Sequence, residues 1–343
     1  MASTFGKKAR KIAAWGVSSF LVLIAVLITV TVGWRPVLGA RVRPLTDRQF
    51  ERTPERLSRG KYLVESVAIC FDCHSPLPQP LPAPGVALEF KDRGAGRVFA
   101  EDGKFRVVAP NITPDAETGA GTWTDDQLAR GIREGIGHDG RTLFPIMPYQ
   151  NFRKFSDEDL ASIVVYLRSV PPVRHKLPSS SIPFPLSRLI NAAPEPVHEP
   201  VPEVTRTQLE RGQYLAAMAS CGDCHTPRDG HGQPVPGMDF AGGAEFPEFG
   251  VSSVNITPDP SGIGYYDEAM FIKVMRTGHV GARALKIPMP WWSFRNMTDE
   301  DLKAIYAYLR TVKAVHHRVD NTESATKCKQ CNGKHGLGLE NGL

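Results

Sequence analysis

The feature that most constrains this 343-residue chain is that much of it is written twice. Arg59-Gly60-Lys61-Tyr62-Leu63 returns as Arg211-Gly212-Gln213-Tyr214-Leu215, and Asn111-Ile112-Thr113-Pro114-Asp115 as Asn255-Ile256-Thr257-Pro258-Asp259. Ser156-Asp157-Glu158-Asp159-Leu160 returns as Thr298-Asp299-Glu300-Asp301-Leu302, and Tyr166-Leu167-Arg168 as Tyr308-Leu309-Arg310. Each copy holds one pentapeptide of a single pattern: Cys70-Phe71-Asp72-Cys73-His74 and Cys221-Gly222-Asp223-Cys224-His225. The offset falls from 151 at the cysteines to 142 at the far end, so the second copy is shorter, chiefly in the loop after its cysteine pair. Self-similarity of this kind implies two units of one architecture.

Cys-x-x-Cys-His is the attachment pattern of c-type haem. Two thiols three positions apart on a turn can add to the two vinyl groups on one side of the ring. The following histidine is then carried beneath it and offers a nitrogen to the iron. Competing uses of Cys-x-x-Cys fit less well. A thioredoxin-like redox pair belongs beside a βαβ pattern, and no alternating strand-like segment surrounds either site. A disulfide between residues three apart closes almost no loop. Zinc would need further Cys or His ligands nearby. The reading is therefore two covalently bound haem c groups on Cys70 and Cys73, and on Cys221 and Cys224, with His74 and His225 as proximal iron ligands.

Each copy opens and closes with a predicted helix. Thr53-Pro54 reads as N-cap and first residue of the opening helix. Ser156 caps the closing helix, whose Leu160, Ile163, Val164 and Leu167 share one face; Leu302, Ile305, Tyr306 and Leu309 repeat that face. Thr124 and Gln127 predict a capping box on a middle helix. Gly- and Pro-rich loops join these helices, too many for a self-sufficient core, so the haem is expected to complete it. The fold class is mostly α: two tandem haem domains with loop-rich connections, plus an N-terminal transmembrane helix.

A distal ligand is sought in the same repeat. Met147, in Pro145-Ile146-Met147-Pro148, is the only methionine between Met1 and Met218. Met289, in Ile287-Pro288-Met289-Pro290, stands 142 residues later. Flanking prolines are expected to hold these segments extended, with the thioether facing the iron. Core packing is the plain use of a methionine, but position and repetition favour His/Met ligation, which raises the haem potential. His138 and His279 also recur and are the rival distal ligands. Arg141 and Arg283 match as well and are candidate contacts to haem propionates, or else solvated surface residues. Trp123 is read as core rather than as an electron relay.

The formal net charge of +5 is misplaced for a nucleic-acid binder. Lys7, Lys8, Arg10, Lys11, Arg35, Arg41 and Arg43 precede residue 47 with no acidic residue among them; the remainder is net −2. That argues against nucleic acid as a partner. The uncharged run between Trp15 and Trp34 is long enough for a bilayer core of about 30 Å, and its cationic leader places the N-terminus in the cytoplasm. A cleaved signal peptide, with small residues at Leu38-Gly39-Ala40, is the alternative, and it sends the body to the same side.

Expected boundaries are 1–43 for cytoplasmic tip and anchor, 44–176 and 205–317 for the haem domains, 177–204 for a Pro-rich linker, and 318–343 for a tail. Residues 171–205 hold nine prolines and read as a semi-rigid spacer. In the tail, Cys328-Lys329-Gln330-Cys331-Asn332 lacks the histidine, and twelve residues after Cys331 leave no room for a third haem domain. A tail disulfide is the plain reading, and metal binding with His335 the weaker one.

Taken together, Cys-x-x-Cys-His, Asn-Ile-Thr-Pro-Asp, Asp-Gly-Arg before Pro-x-Met-Pro, and Ser-Asp-Glu-Asp-Leu before Tyr-Leu-Arg resemble the class I c-type cytochromes in tandem. Within that class the set is similar to the cytochrome c subunits of membrane-bound alcohol and sugar-acid dehydrogenases. The resemblance covers roughly 50–172 and 205–315. It implies His74/Met147 and His225/Met289 as axial pairs, a membrane-bound or periplasmic dehydrogenase as electron donor, and quinone, another cytochrome c or a terminal oxidase as acceptor. The chain departs from the family in carrying two haem motifs rather than three, and an N-terminal anchor. The expected function is a single-electron relay, with no catalytic residue of its own, in the respiratory chain of a bacterial cytoplasmic membrane, haem domains on the periplasmic side. A dihaem peroxidase or sulfur-compound oxidoreductase, with one displaceable axial ligand, is the competing enzyme class. A haem module with a structural or sensory role is a third.

Overall fold

The computed structural model describes residues 2–203, 206–230 and 232–342, with side chains from Lys11 onward. An N-terminal helix, Ala2–Thr31, contains a 21-residue segment, Lys11–Thr31, that is long and apolar enough to cross a membrane and has no buried residue. The leader cations Lys7, Lys8 and Arg10 lie outside the residues whose side chains are described. Arg43, counted in sequence with that cationic leader, bonds instead to Asp126 and Glu134 of the first copy.

Both copies then follow one plan. The opening helices are Pro54–Tyr62, continued by a π-helical turn Leu63–Val67, and Gln208–Met218. Thr53 accepts from the Arg56 amide, as its position before Pro54 predicts. Each opening helix ends at a residue in the left-handed region, Ile69 (φ 44°) or Ser220 (φ 54°), immediately before the first cysteine. One-turn helices Cys70–Cys73 and Cys221–His225 follow. Non-glycine residues occupy this region at a cost of roughly 1–3 kcal/mol. Its recurrence at the same place in both copies ties the strain to the cysteine turn.

The middle helices are Asp125–Glu134 and Glu268–Thr277, the first carrying the expected Thr124/Gln127 capping box. The closing helices, Asp157–Leu167 and Asp299–Leu309, start on Ser156 and Thr298, whose hydroxyls accept from the amides of Asp159 and Asp301. Strands are few. The longest pair, Arg97–Asp102 with Phe105–Ala109, occupies the loop after the first cysteine motif. Its counterpart in copy two is a two-residue pairing of Glu245–Phe246 with Val251–Ser252, and this difference accounts for much of the shortening of the second copy. Residues of the Pro-rich connection lie on the first copy: Ser181 bridges Arg106, and the Asp157 amide donates to the Val201 carbonyl.

Opening and closing helices cross at a glycine in each copy. A Cβ on Gly60 would lie 2.0 Å from the Ser162 carbonyl oxygen, and one on Gly212 would lie 1.9 Å from that of Ala304. Nothing larger than hydrogen fits. Two ion pairs brace these crossings: Arg59 binds Asp159, and Arg211 binds Asp301. Each buried carboxylate also accepts a phenol from the other copy, Tyr214 on Asp159 at 2.7 Å and Tyr62 on Asp301. The copies are thus related by a reciprocal exchange, and they share one apolar core containing Leu63, Phe155 and Ile163 from the first with Leu215, Leu302 and Leu309 from the second.

Replacing Gly212 by alanine should therefore cost about 3 kcal/mol, since the closing helix must shift as a unit to admit a methyl group. Urea denaturation of the variant against the parent protein checks this. A loss below about 0.5 kcal/mol, the range of ordinary surface changes, would show that the helices do not cross so closely.

Candidate haem site

The cysteine turns place Cys70, Cys73, Cys221 and Cys224 on the wall of a single cavity of about 2430 Å³, lined also by His74, His225, Met147 and Met289. Ordinary small-molecule pockets reach about 1,000 Å³, so this one has room for more than one large planar group. The four thiols are unbridged. Burial pushes Cys70 and Cys221 up to about 12 and Cys73 up to about 11. A reactive dithiol needs the opposite shift, so these pairs are poor redox centres by themselves.

Both histidines are buried, which lowers their basicity and keeps the ring neutral. His74 Nδ1 lies 2.8 Å from the Pro110 carbonyl oxygen, and His225 Nδ1 lies 2.7 Å from that of Val254. A carbonyl only accepts, so Nδ1 carries the proton and Nε2 keeps a free lone pair. This is the arrangement that orients an imidazole as a metal ligand.

The Asn-Ile-Thr motif, which sequence reasoning noted only as part of the repeat, holds those carbonyls in place. Asn111 Oδ1 accepts from the amide and hydroxyl of Thr113, while its Nδ2 donates to the Val173 carbonyl beyond the closing helix. Asn255 does the same with Thr257 and Val315. Both asparagines are buried. The carbonyl that receives each histidine proton immediately precedes its asparagine, so the motif fixes where the imidazole points. The histidine carbonyls are tied as well, to the amides of Gly96 and Gly242.

Met147 and Met289 are half-buried and packed against the shared core. Their segments differ from the extended form expected of proline flanks. The Met147 amide donates to Phe144 and the Met289 amide to Lys286, closing a turn before the one-turn helices Tyr149–Phe152 and Trp291–Phe294. Of the rival ligands, His138 lines the cavity from an exposed position and stacks on Trp123 with centroids 4.2 Å apart. His279 lies off the cavity wall, its Nδ1 against the Thr277 carbonyl. Arg141 and Arg283 both line the cavity from exposed positions, Arg141 paired to Asp139 at 3.2 Å. Arg97, not singled out from sequence, also lines it; it is half-buried, bonded to the Cys73 carbonyl, and without an ion-pair partner among the described residues. The signal available in sequence was weak, because copy two has no matching arginine.

Each cysteine turn is bonded to the other copy. Asp72, between the first pair of cysteines, accepts from Trp292 Nε1 at 2.9 Å and from the Ser293 hydroxyl at 2.7 Å. Asp223, between the second pair, accepts from Asn151 Nδ2 at 2.7 Å. Asn151 and Ser293 are themselves counterparts in the repeat. Cys224 is raised to about 11 by desolvation, then by Asp223, then by Cys73 of the other copy, so the two turns lie within electrostatic reach.

Paired cysteines followed by a carbonyl-oriented histidine on a cavity wall form a donor set that fits c-type haem. Residues 209–313 match the family described as Cytochrome c, and this part of the chain belongs to it. The chain is 30% identical over 288 residues to the fructose dehydrogenase cytochrome subunit of Gluconobacter japonicus, covering 80% of this chain and 56% of that protein. It is 31% identical over 294 residues to the cytochrome c subunit of alcohol dehydrogenase (quinone) from Komagataeibacter europaeus, covering 79% and 60%. It is 29% identical over 257 residues to a protein named diheme cytochrome c-type from Cereibacter sphaeroides, covering 72% and 82%. The chain thus spans less than two thirds of the dehydrogenase subunits' length. A cytochrome c domain implies covalently bound haem c, and the donor set described above fits it.

Asp72 supplies a pH test of the contact between copies. Burial pushes its carboxyl up to about 6, against the hydrogen bonds from Ser293 and Trp292 and the fields of Arg97 and Arg93, which pull it down. The folded state therefore holds this proton more tightly than the unfolded state, whose value is near 3.8. Stability linked to the group is fully present below pH 3.8 and is lost as pH rises through about 6. Asp72→Asn retains an oxygen for Trp292 and cannot ionise, so it should flatten the stability curve across that window. Urea denaturation at several pH values checks this, and identical slopes in variant and parent would refute it.

Proposed function

We propose that this protein is a membrane-anchored dihaem cytochrome c that passes single electrons from a dehydrogenase to the respiratory chain. The observation that carries the reading is that two Cys-x-x-Cys-His turns, each with a carbonyl-locked histidine, open on one cavity and each bond to the other copy. When bound, haem c supplies a one-electron iron couple.

The chain's own residues do the rest. Cys70 and Cys73, and Cys221 and Cys224, would hold two rings by thioether bonds, and His74 and His225 would ligate through Nε2. Met147 and Met289 would supply the remaining iron ligands, and their soft sulfur would favour the reduced iron and raise the potential. With both irons six-coordinate, neither would offer a position to substrate, so transfer rather than catalysis is the role. Arg97, with Arg141 and Arg283, would meet propionate charge at the cavity wall. The Asp72 and Asp223 contacts would set the separation of the two rings.

The relatives' names support a dehydrogenase as donor; quinone, another cytochrome c or a terminal oxidase would be the acceptor. The exposed apolar helix supports a single-pass anchor kept in the bacterial cytoplasmic membrane, with the haem domains on the periplasmic side.

Visible spectra of the full-length protein during a redox titration, with haem counted by the alkaline pyridine assay, test this reading. Two haems per chain, resistant to acidified acetone and low-spin in both oxidation states, are expected. Met147→Ala and Met289→Ala should each lower the potential of one centre and turn that centre high-spin. A high-spin haem in the parent protein, or unchanged spectra in both variants, would overturn the ligand assignment.

A further inference from the structure

The C-terminal tail folds onto the second copy through a small hairpin, Ala325–Lys327 paired with Lys334–Gly336. Its turn carries Cys328 and Cys331, which are buried and unbridged rather than joined in the expected disulfide. Each sulfur instead faces an imidazole. Cys328 Sγ lies 3.5 Å from His317 Nε2, and Cys331 Sγ lies 3.4 Å from His335 Nε2. All four donor atoms fall within 4.8 Å of one another, and all four residues are buried. Two separate thiol–imidazole pairs would satisfy themselves without such convergence.

The surroundings prepare these atoms for a cation. His317 Nδ1 is 2.8 Å from the Ala241 carbonyl and His335 Nδ1 is 3.0 Å from that of Gly336, so both rings carry the proton on Nδ1 and turn a free Nε2 lone pair inward. The amides of Cys331 and Gly333 point at Cys328 Sγ and Cys331 Sγ, at 3.5 and 3.4 Å, and would stabilise thiolate charge. Gly243 leaves the space: a Cβ there would sit 2.8 Å from the His317 ring and 3.3 Å from Cys331 Sγ.

We propose that His317, Cys328, Cys331 and His335 bind a structural zinc ion. Tetrahedral zinc, with bonds to sulfur of about 2.3 Å and to nitrogen of about 2.05 Å, requires sulfur–nitrogen separations of about 3.6 Å. The two separations above are 3.5 and 3.4 Å. Two thiolates neutralise a divalent cation, which removes the cost of burying the charge, and four protein ligands leave no open position, as in structural sites. The repeat explains how His317 came to serve. Its counterpart His175 makes the same Nδ1 contact, to Ala95 at 3.0 Å, but is only half-buried and has no cysteine beside it. A histidine that clamps a loop in copy one has become a ligand in copy two because the tail brings the other three donors to it. The bound ion would fasten the tail to the segment behind the proximal ligand, since Ala241 accepts from His317 and the next amide, Gly242, donates to the His225 carbonyl.

The test is metal content of the full-length, haem-loaded protein, purified without chelators and expressed with zinc supplied, followed by X-ray absorption at the zinc edge, where haem does not interfere. About one zinc per chain with two sulfur and two nitrogen neighbours is expected. Cys331→Ser and His335→Ala should each lower zinc below about a tenth of an equivalent, whereas His175→Ala should retain it. A zinc-free parent protein with a Cys328–Cys331 disulfide detected by mass, iron or copper in place of zinc, or full zinc in Cys331→Ser and His335→Ala would each overturn the proposal. The measurement on the parent protein decides the matter even if a variant fails to fold. It reads zinc per chain, so it is independent of the haem count.

Discussion

The hydrogen bond from each histidine Nδ1 to a backbone carbonyl is the contact on which this architecture turns. An imidazole free to rotate, or protonated on the wrong nitrogen, makes a poor ligand, and the Cys-x-x-Cys-His turn alone controls neither property. The carbonyls of Pro110 and Val254 control both. They are held in turn by Asn111 and Asn255, which reach across to the chain leaving each closing helix. The glycine crossings at Gly60 and Gly212 fix those helices against the opening ones, which deliver the cysteines. The repeated glycine, cysteine–histidine and Asn-Ile-Thr motifs thus belong to one mechanical linkage ending at a ring nitrogen.

That linkage explains why the haem motifs were legible and their surroundings less so. Local chemistry writes itself into contiguous residues: the cysteine spacing, the Ser156 and Thr298 caps and the Thr124/Gln127 box appear where sequence alone puts them. Contacts between copies leave no such trace. Tyr62 meets Asp301 across 239 positions and Trp292 meets Asp72 across 220, and no periodicity links them. The repeat offers one indirect clue, since Tyr62 and Tyr214, or Asp159 and Asp301, are matched residues whose pairing is exchanged. Prolines misled in one place: around Met147 and Met289 they bound a turn instead of an extended segment, because the following one-turn helices reverse the chain.

The reciprocal contacts also bear on how the two copies work together. Had each tyrosine bonded its own copy's aspartate, the contact between copies would rest on the shared apolar core and the Asp72 and Asp223 bonds. Exchange instead makes each buried carboxylate depend on both copies: Asp159 and Asp301 each receive an arginine from within and a phenol from without. Removing either copy would leave the other with a carboxylate short of a partner. Such buried groups are costly to leave unpaired, so the copies are bound into one electrostatic unit. The placement of one cysteine turn relative to the other is thereby held by contacts that both copies must complete.

The tail extends the same logic by different chemistry. Copy one closes its proximal loop with His175 on Ala95 and with the hairpin Arg97–Asp102/Phe105–Ala109. Copy two lacks that hairpin, having only a two-residue pairing there, and its loop would be the weaker of the two without support. The tail provides it: Glu245 accepts from the Lys334 amide, Asn321 bonds both the amide and the carbonyl of Ser252, and His317 meets the cysteine turn. What the first unit obtains from strand pairing, the second obtains from a clasp of side chains around four convergent donors. The shortened loop of copy two and the extra cysteine pair of the tail thus meet at one place in the fold.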